Sequence, residues 1–427
     1  MKIKRALKVR LYPTPEQLNK IKQTAGCKRL VYNQYLAHRN NFYENNIKDK
    51  NLTDEEKLAV YNTYEPPKLV DIKKEFPFLK DVSYKALEQG LQDLFKAFQN
   101  FFQGRADKPN FKKKKYHHDK FRENQIPVDF FNWNERLIKL PKIGYVKFAN
   151  RKLPKWFNLK YIKPKNLTVE IVPSGRVFVS ISCEYEASTA DKAWNGDENQ
   201  VIGLDFSPAK MFVDSNGNIA PDYKPHKQIH NKRLKRLKRQ QSRRGILRDE
   251  HNKPVHDDKG HLIVVDSNNR EKARIKVAKL EEHIANCRND WQWKEALRLC
   301  RNYEAVSVES LTIKNMMHFA RNAKNYVDAS WGMFGIKLGW KSVFYNTQII
   351  ENSKWFPSSQ LCHYCGYRNK AVKDLRVRKW DCPNCGAHHD RDVNAAINLK
   401  LNAIKHLNPS IMDATVGSTG CYVCGGH

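Results

Sequence analysis

The spacing of hydrophobic residues along the chain first predicts a β-strand and then a long helical region. Residues 1–12 alternate between charged and apolar side chains, which is typical of a strand. Thr14-Pro15-Glu16-Gln17 then predicts the start of a helix, and helical spacing continues to about residue 120. Seven apolar residues there recur at steps of three and four and predict one helix face packed into a core: Leu87, Leu91, Leu94, Phe95, Phe98, Phe101 and Phe102. A basic loop, Gly104 to Lys115, ends this region.

Residues 126–186 change to strand spacing. Leu167 to Ile171 and Val177 to Tyr185 both alternate between apolar and polar side chains, on either side of the turn Pro173-Ser174-Gly175. This pattern predicts a hairpin within a small β-barrel that also takes in the N-terminal strand. Residues 187–199 are expected to form a linker.

From residue 201 the pattern indicates an α/β fold. Val201–Leu204 is expected to be a short buried strand ending at Asp205, and Ala305–Val308 a second one ending at Glu309. The remaining expected elements are a strand at Lys210–Val213, a helix at Lys227–Arg244, a polar hairpin or loop at 246–267, a helix at 268–303, a helix at Trp331–Tyr345, a strand at Thr347–Phe356 and a last helix from Asp392. With 427 residues, the chain is expected to hold two to four domains.

Charge narrows the class of partner. The chain carries 77 Lys and Arg against 45 Asp and Glu, a net charge of +32, which favours a polyanion such as nucleic acid. The alternative is a basic protein that binds nucleic acid only adventitiously. No apolar run is long enough to span a membrane, and the N-terminus lacks the apolar core of a signal peptide. We therefore expect a soluble cytoplasmic protein with no membrane partner.

Two CxxC pairs indicate a metal site. Cys362 and Cys365 are separated by sixteen residues from Cys382 and Cys385, which is zinc-ribbon spacing. Four thiolates complete a tetrahedral shell with no open position, so one structural Zn²⁺ is expected. His388 and His389 are alternative ligands, but four sulfurs already fill the shell. Cys421, Cys424 and His427 are expected to be free, and Cys27, Cys183, Cys287 and Cys300 to be buried small hydrophobes.

Three acids lie where strands or helices begin and end. Asp205 and Glu309 follow buried strands, and Asp392 comes at a helix start. Strand ends meet along one edge of an α/β sheet, so these carboxylates can converge there and share Mg²⁺ ions. Each acid also has an ordinary explanation: Asp392 or Asp390 as a helix N-cap, Glu309 as a surface acid and Asp205 as a turn cap.

Several motifs resemble the TnpB family, the RNA-guided nucleases of the IS200/IS605 transposon group and relatives of the type V CRISPR effectors. The motifs are GLDFS at 203–207, VESLTIKNM at 308–316, FPSSQLCHYCG at 356–366 and CPNCGAHHDRDVNAAINL at 382–399. The resemblance covers nearly the whole chain. One departure is Ser207, followed by Pro208, where the family usually has glycine two residues after the first acid.

The resemblance implies a mixed fold with α/β, all-β and α-helical parts. Its implied domains are a wedge strand at 1–12, a helical recognition lobe at 13–120, a wedge β-barrel at 121–195, a RuvC-like (RNase H fold) nuclease at 196–356 and 390–408, an inserted zinc ribbon at 357–389 and a flexible tail at 409–427. It also implies that Asp205, Glu309 and Asp392 bind two Mg²⁺ ions, with Mn²⁺ as a substitute, while Asp390 is a neighbour or cap. The implied partners are a guide RNA from the transposon end and double-stranded target DNA next to a short motif, bound by a monomer with no small-molecule substrate.

Basic segments are candidates for contact with RNA or DNA. The helix 227–244 carries nine Lys or Arg and is expected against the guide–target duplex. The candidate residues are Lys232, Arg233, Lys235, Arg236 and Arg239 on that helix; Lys112, Lys113 and Lys114 in the loop; Lys4 and Lys8 on the first strand; and Lys28, Arg29, Tyr32 and Asn33 on the first helix. A solvated helix face and simple aromatic packing are the alternatives.

The functional prediction is an RNA-guided, Mg²⁺-dependent DNA endonuclease. A nuclease-inactive RNA-guided DNA-binding repressor is the rival, kept open by Ser207. A DNA transposase is a third hypothesis, which the sequence favours less because no residue stands out as a nucleophile that would join strands.

Overall fold

The computed structural model describes residues 2–408, except for 49, 115–118, 127–128, 150–153, 155, 158–161, 191–193, 222, 225, 314–315 and 317–322. The chain divides into two units, Met1–Ala187 and Ser188–His427. Lys115 and the expected free Cys421, Cys424 and His427 lie outside the described residues. Within the described residues, no helix combines the length and the apolar character needed to cross a membrane.

The first unit contains a seven-stranded antiparallel sheet. Its strands are β1 (Lys2–Tyr12), β2 (Asp119–Glu123), β3 (Phe131–Asn132), β4 (Leu137–Leu140), β5 (Gly144–Phe148), β6 (Lys163–Ile171) and β7 (Val177–Glu186), in the order β2-β6-β7-β1-β5-β4-β3. The predicted hairpin β6–β7 is confirmed, with Gly175 in the left-handed conformation at its turn. The N-terminal strand joins the sheet as predicted, from Lys2 opposite Glu186 to Leu11 opposite Val177.

Four helices accompany this sheet: α1 (Pro15–Asn46), α2 (Asp54–Asn62), α3 (Leu69–Glu75) and α4 (Tyr84–Phe102). The predicted start of α1 is confirmed, because Thr14 and Gln17 form a reciprocal capping box with Pro15 at the first helical position. In α4, Leu87 and Phe98 are buried against α1 as predicted. Phe95 and Phe102 are exposed, so the prediction that they are core was wrong. The seven-residue stripe is wider than the face that packs into this core.

One buried acid gives this unit a pH-dependent stability. Glu123 on β2 is 1% exposed and accepts a hydrogen bond of 2.8 Å from the Ser83 hydroxyl. Burial raises the pKa of Glu123 from 4.5 to about 7, although the Ser83 bond opposes the shift. A carboxyl whose pKa is raised by folding stabilises the protein fully below pH 4.5 and loses that stabilisation as pH rises to about 7.

Replacing Glu123 by glutamine is therefore expected to remove this dependence. The wild-type free energy of unfolding should fall by about 3 kcal/mol between these pH values on account of this group alone. Thermal unfolding should be measured from pH 4.5 to 8. The unfolding temperature of Glu123→Gln should rise relative to that of wild type as the pH increases. Glu135→Gln, at an exposed site, serves as the control. Parallel pH profiles for wild type and Glu123→Gln would contradict the assignment.

The second unit is built on a four-stranded sheet. Its strands are β8 (Val201–Ser207), β9 (Met211–Asp214), β10 (Ala305–Glu309) and β11 (Gln348–Asn352), in the order β11-β10-β8-β9. β8, β10 and β11 are parallel, and β9 turns back antiparallel to β8. Two further short strands, β12 (Lys379–Asp381) and β13 (His388–Asp390), pair within the cysteine region. The helices are α5 (His226–Ile229), α6 (Asn231–Arg243), α7 (Asn268–Asn302), α8 (Ala323–Ala329), α9 (Trp331–Tyr345) and α10 (Arg391–Leu407).

Three elements of the second unit differ from the prediction by more than one residue at a boundary. β8 does not end at Asp205 but continues to Ser207, because β9 pairs with it beyond the end of the β10 pairing. The basic helix is broken at His230 into α5 and α6. The strand expected to reach Phe356 ends at Asn352.

Candidate active site and metal centre

The three predicted acids lie on three elements of the second unit that pack together. Leu204 on β8 is the parallel partner of Val308 on β10, so the next residues, Asp205 and Glu309, are neighbours across the two strands. Asp392 lies in the first turn of α10, and this helix packs on both strands. The sheet and the helix therefore bring Glu309 and Asp392 close enough to Asp205 to act on it electrostatically.

A single glycine sets the distance between β8 and α10. A Cβ atom at Gly203 would lie 2.0 Å from the Ala396 carbonyl oxygen and 2.7 Å from the Lys400 backbone nitrogen. Only a residue without a side chain fits between the strand and the helix backbone. On β10, the buried Ser307 hydroxyl donates to the Leu399 carbonyl oxygen at 2.8 Å. These contacts fix the position of Asp392 relative to the strand acids.

The helix start distinguishes Asp390 from Asp392. The Asp390 carboxylate accepts hydrogen bonds from the backbone N–H groups of Asp392 and Val393, at 3.0 and 3.2 Å. Asp390 is therefore the N-cap, which confirms it as the capping residue of the pair. The Asp392 carboxylate is free of that role and instead faces two cations, Arg378 at 3.3 Å and Lys210 at 3.8 Å.

The acids influence one another electrostatically. Burial, followed by the negative charges of Glu309 and Asp392, raises the pKa of Asp205 well above its usual range. Arg391 and Arg378 oppose this shift. Burial also raises the pKa of Glu309, which the Ser358 hydroxyl and Arg391 partly counteract. Like charges enclosed in this way are stabilised by a cation between them.

The carboxylate oxygens are neighbours without forming a tight cluster. Of the described His, Cys, Asp and Glu side chains, the only group of three or more whose ligand atoms all lie within 4.8 Å of one another is formed by four cysteines. The carboxylate oxygens of Asp205, Glu309 and Asp392 therefore do not all lie within 4.8 Å of one another.

Three asparagines on α10, which the sequence analysis did not single out, fix the chain before the first CxxC pair. They recur every four residues on one helix face: Asn394, Asn398 and Asn402. The Nδ2 groups of Asn394 and Asn398 both donate to the Leu361 carbonyl oxygen, at 2.7 and 2.8 Å, and Asn398 also donates to Ser358 at 2.8 Å. Asn402 donates to the side chain of Asn352 at 2.7 Å. The four-residue spacing was the available signal, since polar residues at i, i+4 and i+8 share one face of a helix.

The four predicted zinc cysteines come together in one cluster. Sγ atoms of Cys362, Cys365, Cys382 and Cys385 lie within 4.8 Å of one another, so they could hold a zinc ion. Gly366 and Gly386 follow the two knuckles with φ of +74° and +73°, which glycine adopts without strain.

The two histidines after the last cysteine have different surroundings. His389 is 2% exposed, and its Nε2 lies 3.1 Å from the Cys362 Sγ. His388 is exposed and pairs with Asp381 at 2.7 Å. His389 therefore lies beside the cysteine cluster, whereas His388 is directed away to the surface of the ribbon.

Among the other cysteines, Cys27, Cys183 and Cys300 are buried as predicted. Cys287 is partly exposed, so the prediction of burial was wrong there; it lies on α7 at 3.6 Å from the ring of His283.

The predicted cations on α6 are exposed. Lys232, Arg233, Lys235, Arg236 and Arg239 all face solvent, and within the described part of the chain none of them forms an ion pair. Leu234 and Leu237 pack against α7. This helix is thus anchored along one narrow stripe and presents unpaired positive charge elsewhere.

The candidates on α1 and β1 have partners within the chain. Lys28 is buried and pairs with Asp93 at 2.6 Å, and Arg29 pairs with Asp119 at 2.7 Å. Lys4 on β1 lies 3.8 Å from the Glu184 carboxylate on the adjacent strand β7. Lys8 lies 3.0 Å from the Glu170 carboxylate on β6, one strand further away.

Tyr32 and Asn33 hold the basic loop. Asn33 exchanges two hydrogen bonds with the backbone of Lys112, at 2.9 and 3.0 Å, and the Lys112 ammonium lies 3.6 Å from the centre of the buried Tyr32 ring. The next two loop residues, Lys113 and Lys114, are exposed. The structure therefore assigns a local structural role to Tyr32 and Asn33, and their contact with nucleic acid stays a prediction.

Two family models match parts of the chain. Residues 331–399 match the model of the Cas12f1-like TNB domain, and residues 1–48 match a family model described as a helix-turn-helix domain. In the structure, residues 2–46 of the second match hold one strand and one 32-residue helix.

Two curated relatives span nearly the whole chain. A Streptomyces pristinaespiralis protein named "Putative RNA-guided DNA endonuclease" is 33% identical over 404 residues, covering 93% of this chain and 89% of the relative. The Escherichia coli K12 protein InsQ, which carries the same description, is 29% identical over 416 residues and 92% of its length. A mimivirus protein named TnpB-like protein L79 is 22% identical over 148 residues, covering 33% of this chain and 28% of its own.

Among solved structures, a Cas12f1–sgRNA–target DNA complex matches 93% of this chain and 99% of its own, with 13% identity and a TM-score of 0.43. The sequence match to the Streptomyces relative, over 93% of this chain and 89% of the relative, defines the class. The chain belongs to the TnpB family.

Proposed function

We propose that this protein is an RNA-guided DNA endonuclease that cuts target DNA beside a short adjacent motif by metal-dependent hydrolysis. The observation that carries the proposal is the approach of Asp392, on α10, to Asp205 and Glu309 on two adjacent strands. The relatives that span nearly the whole chain are named putative RNA-guided DNA endonucleases. The family membership and the three acids support the same chemistry from independent directions.

The three acids suit Mg²⁺. Their donor set is all oxygen, which Mg²⁺ prefers. The unfavourable charge of Asp205 beside Glu309 and Asp392 would be relieved by a divalent cation. When bound, Mg²⁺ or Mn²⁺ would supply an activated water and positive charge for the leaving oxygen.

The protein's own residues would prepare the reaction in two ways. Strand pairing and the α10 contacts would hold the three carboxylates in place before DNA arrives. The exposed side chains of Arg378 and Lys210 place positive charge beside Asp392, where a phosphodiester would lie. Hydrolysis would leave 5′-phosphate ends, and one active site would cut the two strands in turn.

The sheet order supports a RuvC-like domain at 196–356 and 390–408, interrupted by a zinc ribbon at 357–389 that holds one structural Zn²⁺. The strands β11-β10-β8 run parallel, β9 runs antiparallel at the edge, and the last acid follows the ribbon. We assign 1–12 and 121–195 to the wedge and 13–120 to the recognition lobe.

Metal analysis of the purified chain should find one zinc ion per chain, and Cys382→Ser should lose it.

The exposed cations of α6 support a guide RNA and its heteroduplex with DNA as partners. Unpaired Lys and Arg on one helix bind phosphates through counterion release, which depends on backbone charge and not on sequence. We include the positively charged candidates on β1 and α1 in the same proposal, as residues that would contact the nucleic acid.

The test is plasmid cleavage by the purified ribonucleoprotein. The protein would be co-expressed with RNA from its transposon end, and target plasmid would be incubated with Mg²⁺ or with EDTA. Linear DNA with 5′-phosphate ends in Mg²⁺ only, and only with a matching guide, is the expected result. Guide-dependent binding without cutting would favour the repressor, and a covalent protein–DNA adduct that survives denaturation would favour a transposase.

A further inference from the structure

The second acid has a hydrogen-bond partner that lies outside its own strand. The Ser358 hydroxyl donates to Glu309 Oε1 at 2.8 Å. Ser358 is 5% exposed and lies between β11 and the first zinc knuckle. A hydrogen bond to one oxygen restricts the rotation of a carboxylate and leaves the other oxygen for a second partner.

Ser358 is itself held by the helix that carries the third acid. The Nδ2 of Asn398 on α10 donates to the carbonyl oxygens of both Ser358 and Leu361, each at 2.8 Å. Asn398 is 5% exposed, so these bonds form out of water. A buried amide that satisfies two carbonyl groups gives the segment a fixed position.

The chain of contacts therefore links two of the three acids through one serine. It runs from α10 through Asn398 to the backbone of Ser358, and from the Ser358 hydroxyl to Glu309. The same segment continues into Cys362, the first residue of the cysteine cluster. No strand pairing could orient the Glu309 carboxylate, because pairing fixes the backbone and leaves the side chain free to rotate.

We propose that Ser358 is a positioning residue of the nuclease, which orients Glu309 for binding of the divalent cation and couples that orientation to α10. The inference rests on the proposed function. Ser358 acts through Glu309 and need not touch DNA. Partners of this kind, which hold a metal ligand in position, typically change metal affinity or activity by roughly 10- to 100-fold when removed.

The experiment measures Mn²⁺ binding and cleavage separately on the full chain with its guide RNA. Bound Mn²⁺ is counted by electron paramagnetic resonance, and binding that persists in Asp205→Ala is subtracted because RNA also binds the ion. Ser358→Ala is expected to raise the Mn²⁺ concentration for half-saturation about 10-fold or more. Binding of guided DNA in EDTA should stay unchanged.

Two further variants separate positioning from packing. Ser358→Thr keeps the hydroxyl and should restore Mn²⁺ affinity to within about threefold of wild type. Ser359→Ala removes the neighbouring hydroxyl, which makes no hydrogen bond to the described residues, and should leave both readouts unchanged. In a Glu309→Ala background, Ser358→Ala should weaken Mn²⁺ binding no further, because the carboxylate that Ser358 orients is absent.

The results discriminate clearly. Equal Mn²⁺ affinity of wild type and Ser358→Ala would overturn the inference, as would an undiminished effect of Ser358→Ala in the Glu309→Ala background. A wild-type complex with no Asp205-dependent Mn²⁺ sites and no cleavage would overturn the proposed function itself. Asp205-dependent Mn²⁺ sites whose affinity is unchanged in Ser358→Ala would overturn only the inference.

Discussion

Replacing Asp205 by alanine or asparagine should abolish plasmid cleavage while leaving guided DNA binding intact. Asp205 has two acidic neighbours, Glu309 and Asp392. Alanine removes its charge and both carboxylate oxygens, and asparagine removes the charge and replaces one oxygen by an amide nitrogen. Removal of a group that stabilises the transition state typically lowers the rate by two to three powers of ten, and loss of a metal ligand should reach at least about a thousandfold. Single-turnover cleavage and gel-shift binding measured on the same preparation check both halves of the expectation.

The substitution Asp205→Asn should also stabilise the metal-free protein. Asp205 is enclosed beside two other carboxylates, so its ionised form is unfavourable until a cation is bound. We expect Asp205→Asn to raise the free energy of unfolding by about 1 kcal/mol, which would appear as a rise of about 2–4 °C in the thermal midpoint in EDTA. Opposite changes in activity and stability are typical of a functional site.

Asp214, on the adjacent strand of the same hairpin, provides the control. Its carboxylate accepts backbone N–H bonds from Asn216 and Asn218, at 3.0 and 2.9 Å, and so closes a turn. Asp214→Ala should destabilise the protein by about 1–2 kcal/mol and leave residual cleavage by the folded fraction. Cleavage by Asp205→Ala at the wild-type rate would show that the three acids are not the active site.

The second large effect is expected from adding one methyl group at Gly203. A Cβ there would lie 2.0 Å from the Ala396 carbonyl oxygen, which belongs to helix backbone and cannot swing away as a side chain could. Gly203→Ala must therefore displace α10 from β8. We expect a loss of about 3 kcal/mol or more in the free energy of unfolding, since overpacking a rigid contact costs about 1–3 kcal/mol even where side chains can adjust.

Activity should fall along with stability in this variant. α10 carries Asp392, so a shift of the helix moves the third acid away from Asp205, and misplacement by about 1 Å can cost a hundredfold in rate. Denaturant unfolding and cleavage at low temperature would separate the two effects. Gly332→Ala, on an open face of α9, is the matched control and should gain about 0.5–1 kcal/mol. Equal stability of the two variants would contradict the close packing of β8 and α10.

The features that the sequence predicted best are those encoded locally. The capping box of Thr14 and the cysteine spacing each depend on residues a few positions apart, so the motif carries its own geometry. The acids at 205 and 309 were placed by the general rule that parallel strand ends share an edge.

The features that were missed depend on which parts of the chain meet. The extension of β8 to Ser207 requires pairing with β9. Asn398 has a structural role only because it binds the Ser358 carbonyl group, 40 residues earlier in the chain. Lys28 was a candidate for contact with RNA or DNA, but it is buried and pairs with Asp93 on α4. Charge in a sequence predicts a partner without saying whether the partner is nucleic acid or the chain's own carboxylate.

The asparagines of α10 also determine how this protein can be recombined with its relatives. Asn394 and Asn398 bind the segment that leads into the first knuckle, and Asn402 binds Asn352 at the end of β11. The ribbon and the last helix should therefore be exchanged together. A chimera joined at residue 390 would separate the asparagine donors from their carbonyl acceptors, although it would keep all four cysteines of the cluster together. Joints placed before Asn352 and after Leu407 would carry the ribbon, the helix and their shared contacts together.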